Sequence, residues 1–163
     1  AAATLQPGML STFNSQNVAN LAWAFATLGI QDGPLMAGLA HRTLQNEFLS
    51  TFTPQAVANT AWAFATLGVR DDALMSGIAA HVTQGKQLAN FDYQTISNLA
   101  WAFAKLGIRH DALMKGIARQ AVQPELLHTF YPQTVSMIAW SYATLGLRSF
   151  VLMDALAWQT LQE

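Results

Sequence analysis

The sequence contains no cysteine and few charged residues, which excludes several classes of protein. Without cysteine the chain has no disulfide framework and no cysteine-based metal site. Charged residues make up 10% of the 163 residues and the net charge is −1, so the basic excess that is typical of nucleic-acid-binding proteins is absent. Asn, Thr, Gln or Gly interrupts every long apolar stretch before it could span a bilayer. Because 52% of the residues are apolar, the composition favours a folded chain with a large core.

One ten-residue stretch occurs four times with little change. "NLAWAFATLG" at 20–29 is followed by "NTAWAFATLG" at 59–68, "NLAWAFAKLG" at 98–107 and "MIAWSYATLG" at 137–146. The tryptophans of these stretches, Trp23, Trp62, Trp101 and Trp140, are equally spaced along the chain. A fixed period of this length, with no insertion between copies, predicts an array of stacked repeats.

Each repeat begins with the pattern of an amphipathic helix over about 15–28. Val18, Ala19, Ala22, Phe25 and Ala26 form one apolar arc at 100° per residue. Asn14, Thr53 and Asp92 are suitable N-cap residues, whereas Tyr131 departs from this pattern. The glycine of each "LG" pair is suited to end the helix in a left-handed conformation.

A second helix is predicted in each repeat, and in the first repeat it extends from about 33 to 44. Its N-cap candidates are Asp32, Asp71 and Ser149. Its buried stripe consists of Leu35, Met36, Leu39 and Ala40. Gly38, Gly77 and Gly116 lie inside this helix in register, where glycine is unfavourable, and this predicts a close approach between helices.

The predicted fold is all-α, a right-handed α-solenoid of about four helix-turn-helix repeats of 39 residues. Residues 1–163 are predicted to be a single array, with repeats at 13–51, 52–90, 91–129 and 130–163. "AAATLQ" at the start aligns with "AHRTLQ" at 40–45, so residues 1–12 are expected to be the second half of a preceding repeat in a longer array. The Trp23 and Met36 rows are expected to be buried core.

The solvent-facing stripe of the first helix is the candidate binding surface, because stacked repeats present their first helices side by side. Four rows are predicted to lie on it. The first row is Asn17, Ala56, Thr95 and Thr134; the second is Asn20, Asn59, Asn98 and Met137; the third is Ala24, Ala63, Ala102 and Ser141; the fourth is Thr27, Thr66, Lys105 and Thr144.

The first row varies while most of the repeat stays constant, which is what a modular reader of RNA bases requires. The small third row would leave room for a flat base. The asparagines of the second row are candidates to bind a base as well, or alternatively to form a hydrogen-bonded ladder between neighbouring helices.

A row after the glycine contains Gln31, Arg70, Arg109 and Arg148. Stacked arginines could follow a phosphate backbone. The alternative, which we favour, is local pairing with Asp71, Asp72 or Asp111 or with the end of the first helix. The four histidines share no register, so no metal site is predicted, and no catalytic residues, enzymatic activity or cofactor are predicted either.

The stretch "FTPQAVANTAWAFATLGVRDDAL" at 52–74 resembles the core of octotricopeptide repeat proteins. This resemblance extends over essentially the whole chain, four times. It implies α-hairpin repeats that bind single-stranded RNA with sequence selectivity in chloroplasts or mitochondria, where they affect RNA processing, stability or translation. Some members are structural subunits of organellar assemblies.

Two functions therefore stay open. The first is sequence-selective binding of single-stranded RNA along the first helices, and the alternative is a protein-interaction scaffold or structural subunit of an organellar complex. The chain's near-neutral charge favours the alternative, and the resemblance favours RNA.

Overall fold

A computed structural model describes residues 8–162, and these residues form an all-α fold without strands. The helices are α1 Ser15–Thr27, α2 Gly33–Leu44, α3 Pro54–Thr66, α4 Asp72–Thr83, α5 Tyr93–Lys105, α6 Asp111–Ala121, α7 Pro124–Leu127, α8 Pro132–Thr144 and α9 Phe150–Thr160. Two short 3-10 helices, Phe48–Thr51 and Gln87–Asn90, lie between these helices, and a third, Leu10–Thr12, precedes α1. Residues 1–7, most of the segment assigned to a preceding repeat, lie outside the described residues.

The helices α1, α3, α5 and α8, here called the first helices, begin where the cap residues predict. The Asn14, Thr53 and Asp92 side chains accept hydrogen bonds from the backbone N–H groups three residues later, at 2.8, 3.1 and 2.8 Å. Tyr131 caps α8 without a side-chain bond. A glycine with a positive φ lies two residues after the end of each first helix, for example Gly68 with a φ of 67°. The bounds predicted for α1, about 15–28, are thus confirmed to within a residue.

The helices α2, α4, α6 and α9, here called the second helices, also begin at the predicted residues. Asp32 and Asp71 accept hydrogen bonds from Leu35 N and Leu74 N at 2.9 and 2.8 Å. In α6 the cap is His110, whose Nδ1 accepts from Leu113 N at 3.1 Å. Ser149 occupies the N-cap position of α9 but makes no side-chain cap bond.

The first helices pack directly beside one another, in the order α1, α3, α5, α8. Many of the buried residues of these helices are alanines, such as Ala61, Ala63 and Ala100. The second helices contact one another less extensively, and the short connecting helices pack against them. Consequently the first helices form a tight layer, and the large core side chains fill the space between the two layers.

The glycines inside the second helices permit a close contact with the preceding hairpin, as expected. A Cβ atom on Gly77 would lie 2.6 Å from Leu44 Cδ2, and one on Gly116 would lie 2.6 Å from Leu88 Cδ1. Met36, Met75 and Met114 are buried in the core, which confirms the packing role predicted for these three methionines.

The prediction of a buried tryptophan row is wrong. Trp23 and Trp140 are 47% and 44% exposed, and Trp62 and Trp101 are only partly buried. The buried aromatic residues of these helices are instead Phe64, Phe103 and Tyr142. They lie two residues after the tryptophans, on the helix face that is turned toward the core.

Candidate functional site

Most residues of the first and third rows are buried, although these rows were predicted to face solvent. Ala56, Thr95 and Thr134 are 7%, 6% and 4% exposed. Ala63, Ala102 and Ser141 of the third row are fully buried, and Ala24 is half-buried. Each inner first helix has a first helix on both sides, so the small residues on its flanks become the contact surfaces. Asn17 is exposed, and its side chain bonds back to Asn14 in a capping box. Within the first row Asn17 is therefore the exposed residue, and Ala56 and Thr134 line grooves between neighbouring first helices.

The observed solvent stripe of α1 consists of Gln16, Asn20, Trp23 and Thr27, which are all exposed. Their spacings of four, three and four residues place them on one helix face. The same stripe is present on the other first helices, and its four glutamines, Gln16, Gln55, Gln94 and Gln133, are all exposed. The sequence interpretation overlooked this glutamine row. Its constant presence four residues before the second row, at helical spacing, could have revealed it.

The second and fourth rows lie on this stripe. Asn20 is exposed, and Asn59, Asn98 and Met137 are partly exposed. The fourth row, Thr27, Thr66, Lys105 and Thr144, is exposed throughout. Within residues 8–162 the hydrogen bonds between asparagines are those of Asn14 with Asn17. The second row therefore forms no asparagine ladder, and its amides are available to a ligand.

Two shallow grooves run between neighbouring first helices at their N-terminal ends. One is lined by Gln16, Asn20, Gln55 and Asn59 together with Asn14. The other is lined by Gln94, Asn98 and Gln133, beside the edge-to-face pair of Tyr93 and Tyr131 with ring centroids 5.3 Å apart. Each groove therefore presents amide donors and acceptors from two neighbouring first helices. Such groups can bond to flat polar ligands such as nucleobases.

The row of Arg70, Arg109 and Arg148 is largely engaged in local contacts. Arg70 Nε donates to Asp72 at 2.9 Å, and its Nη1 donates to the carbonyl of Leu106 in the next repeat at 3.4 Å. Gln31 makes the equivalent bond to the carbonyl of Leu67 at 2.6 Å. The local alternative is thus confirmed for Arg70, where the side chain connects neighbouring repeats.

Arg109 forms the second local pair of this row. It donates two hydrogen bonds to Asp111, at 2.7 and 3.2 Å, and the hydrogen bond from Arg109 lowers the pKa of Asp111. Both side chains are about half exposed, so the pair contributes little to stability. Arg148 is exposed and lines a groove beside α6.

The last hairpin carries large apolar side chains at its surface. Phe150 and Val151 are 79% and 71% exposed, and Trp158 is 47% exposed. The equivalent positions of the preceding hairpin, Asp111, Ala112 and Arg119, are also exposed. Exposure of these positions is therefore common to the two hairpins, and the last hairpin differs in presenting apolar groups there. Such a patch is typical of a protein contact.

Among residues 8–162, no group of three or more His, Asp or Glu side chains could hold a metal ion. In the same part of the chain no helix has the length and apolar character needed to cross a membrane. The site chemistry of these residues is therefore that of amides, aromatics, cations and an apolar patch.

Comparison with known families matches residues 4–162 to the model described as RESC6, RNA-editing substrate-binding complex 6 protein. No curated protein matches the chain. The assignment to the octotricopeptide repeat family is therefore wrong, because the family that matches nearly the whole chain is a different one.

Proposed function

The chain belongs to the RESC6 family of RNA-editing substrate-binding complex proteins, and from this we propose that it is a subunit of a protein complex that handles RNA. The match over residues 4–162 is the observation that carries this proposal. We propose that the chain acts by binding and has no enzymatic activity, because its sequence contains no nucleophile with a base, no paired carboxylates and no phosphate-binding loop. RNA-editing complexes of this kind are mitochondrial, so we propose the mitochondrion rather than the chloroplast as its location.

The proposed architecture is one right-handed α-solenoid with the four repeats set out above. In support, the first helices begin at 15, 54, 93 and 132, in equal steps along the chain. Arrays of this kind present long continuous surfaces, which suits a subunit that contacts several partners at once.

The proposed protein contact is the apolar patch of Phe150, Val151 and Trp158. Phenylalanine and tryptophan are enriched at protein interfaces, and an apolar contact tolerates high salt. The preceding hairpin carries Asp111 and Ala112 at the positions of Phe150 and Val151. Those two residues are therefore replacements that the fold already accommodates.

The test is sedimentation of the tagged chain in extracts of its source, at physiological and at high salt. We expect the wild type to sediment with a large RNA-containing assembly, and Phe150→Asp with Val151→Ala to shift it toward the free chain. Asp154→Ala, at an exposed residue of the same helix, serves as the control and should leave the assembly intact. Sedimentation of the wild type as a free chain at physiological salt would contradict the proposal.

A second candidate function, sequence-selective binding of single-stranded RNA, is favoured by the stripe of glutamines, asparagines and tryptophans on the first helices. Amide side chains bond bidentately to base edges, and exposed aromatic rings stack on unpaired bases. Gln55 and Gln94 are exposed, whereas Ala56 and Thr95 are buried, so the two glutamines are better placed to contact a base.

This candidate is tested by anisotropy of labelled RNAs of several sequences with the double variant Gln55→Ala and Gln94→Ala. Removal of two base contacts should weaken binding to the preferred RNA by about 1–3 kcal/mol per contact and reduce the discrimination between sequences. The control is Thr95→Ala, at a buried residue, which should leave the discrimination unchanged. Unaltered selectivity of the double variant would exclude base reading by the glutamine row.

A further inference from the structure

A groove on the second-helix side collects positive charge in a chain of net charge −1. It lies between the end of α4, the 3-10 helix Gln87–Asn90 and the outer face of α6. Lys86, Lys115 and Arg119 line it, and no carboxylate does. All three cations are exposed. Three of the eight lysines and arginines of the chain therefore surround one groove.

The neighbouring repeats show that these cations are not required by the fold. The equivalent positions of the preceding repeat hold Glu47, Ser76 and Ala80, and those of the following repeat hold Glu125, Asp154 and Trp158. The formal charge of the three positions is thus +3 here, against −1 and −2 in the neighbouring repeats. Since equivalent positions elsewhere in the array carry other residues, packing does not explain the three cations.

Two carboxylates lie close to this groove, but neither forms an ion pair with its cations. Asp111 precedes Lys115 by one helical turn and interacts with its charge, while the hydrogen bonds of Asp111 are with Arg109. Glu125 lines a second groove, which Arg119 also lines. Among the described residues the ion pairs are those of Arg70 and Arg109, so the three cations of the groove are available to an anion.

We propose that this groove binds neighbouring phosphate groups of a single-stranded RNA backbone. The guanidinium of Arg119 offers a planar fork that fits phosphate oxygens, and Lys86 and Lys115 add mobile point charges on either side. An acidic protein segment is a poorer match, because lysine is depleted at protein interfaces. The site is separate from the apolar patch and from the first-helix stripe, and its assignment to RNA rests on the RNA-related function proposed above.

The test is anisotropy of a labelled oligouridylate with the purified chain, at low and at physiological salt. Lys115→Ser with Arg119→Ala introduces the residues of the preceding repeat, and circular dichroism verifies that the variant folds. Loss of two phosphate contacts should weaken binding about tenfold at low salt and reduce the slope of log affinity against log salt by about 1.4. The charge-matched control compares Arg119→Ala with Ala37→Asp, which lowers the net charge by the same amount at an exposed residue of α2 whose equivalent in α9 is Asp154. Arg119→Ala should weaken binding more.

The outcomes separate the ligand classes. A DNA oligomer of equal length should bind as well as RNA, because phosphate contacts do not distinguish the two, and pyrophosphate should compete with both. Equal affinity of the double variant and the wild type, or equal losses in Arg119→Ala and Ala37→Asp, would overturn the proposal. If the chain binds pyrophosphate but does not bind oligouridylate, the groove is assigned to a small phosphate compound. If polyglutamate competes more strongly than unlabelled oligouridylate, the groove is assigned to an acidic protein. Either result overturns the RNA assignment. Sedimentation of the double variant with the assembly shows that the protein-subunit function is unaffected.

Discussion

At the scale of the residue, Tyr142 is an informative departure from the repeat. The equivalent positions hold Phe25, Phe64 and Phe103. Tyr142 is 2% exposed, and its hydroxyl donates a hydrogen bond to the carbonyl oxygen of Met114 in α6. This bond joins a first helix to the second helix of the preceding repeat, so the hydroxyl strengthens the contact between the last two repeats. Burial raises the pKa of Tyr142 far above its ordinary value.

Replacing Tyr142 with Phe should lower the free energy of unfolding at pH 7 by about 0.5–1.5 kcal/mol, the net value of one hydrogen bond. The effect should depend on pH. Because the folded state favours the neutral phenol, its contribution is fully present below the pKa of an unfolded tyrosine, about 10, and is lost as pH rises above it. Urea unfolding from pH 7 to 11 should show the wild type losing more stability than Y142F.

The control for this prediction is Tyr131→Phe, since Tyr131 is 62% exposed. It should change neither the stability at pH 7 nor its dependence on pH by a comparable amount. If Y142F and the wild type lose stability in parallel above pH 10, the buried hydroxyl is not the group responsible.

Individual residues also show which predictions the sequence supports. Val18, Ala22 and Met36 are buried as their periodicity indicates. Burial against the other helix of the same hairpin follows from helix geometry alone. The faces of Trp23 and Thr95 were misassigned. Their burial depends on the distance between neighbouring first helices, and the sequence of a single repeat does not determine that distance. Small residues on both flanks of the helix were the available signal.

At the scale of the element, the helix caps were predictable because they are local. The side chain of Asp71 accepts a hydrogen bond from Leu74 N at 2.8 Å at the start of α4. Ser149 occupies the same position before α9 without such a bond. The two residues therefore form a natural pair with which to measure what the cap contributes.

We expect Asp71→Ala to destabilise the chain by about 1 kcal/mol, because it leaves an N-terminal N–H group of α4 without its partner. Ser149→Ala should have an effect of at most a few tenths of a kcal/mol. Thermal or urea unfolding of the two variants checks the difference. Equal losses would mean that the observed cap bond does not stabilise α4.

At the scale of the whole molecule, three different surfaces lie on one repeated framework. Amides and tryptophans line the first helices, three cations surround one groove beside α6, and apolar side chains lie on the last hairpin. The equal spacing of the first helices could be predicted from the sequence, because the letters of these helices recur at a fixed step. The cationic groove was missed since Lys86, Lys115 and Arg119 come together only across two repeats.

If each repeat contacts only its neighbours, removal of one complete repeat should preserve the fold. Deleting residues 52–90 joins Thr51 to Phe91, which occupies the same register as Phe52. The shortened chain should remain helical and unfold cooperatively. The urea concentration at its unfolding midpoint should be lower. The slope of its unfolding free energy against urea concentration should be about a quarter smaller, in proportion to the share of the chain removed. Deleting only 52–70, which removes α3 without α4, is the control and should abolish cooperative unfolding, because it leaves α4 without its first helix. Loss of helical circular dichroism in the complete-repeat deletion would show that the array depends on contacts beyond neighbouring repeats.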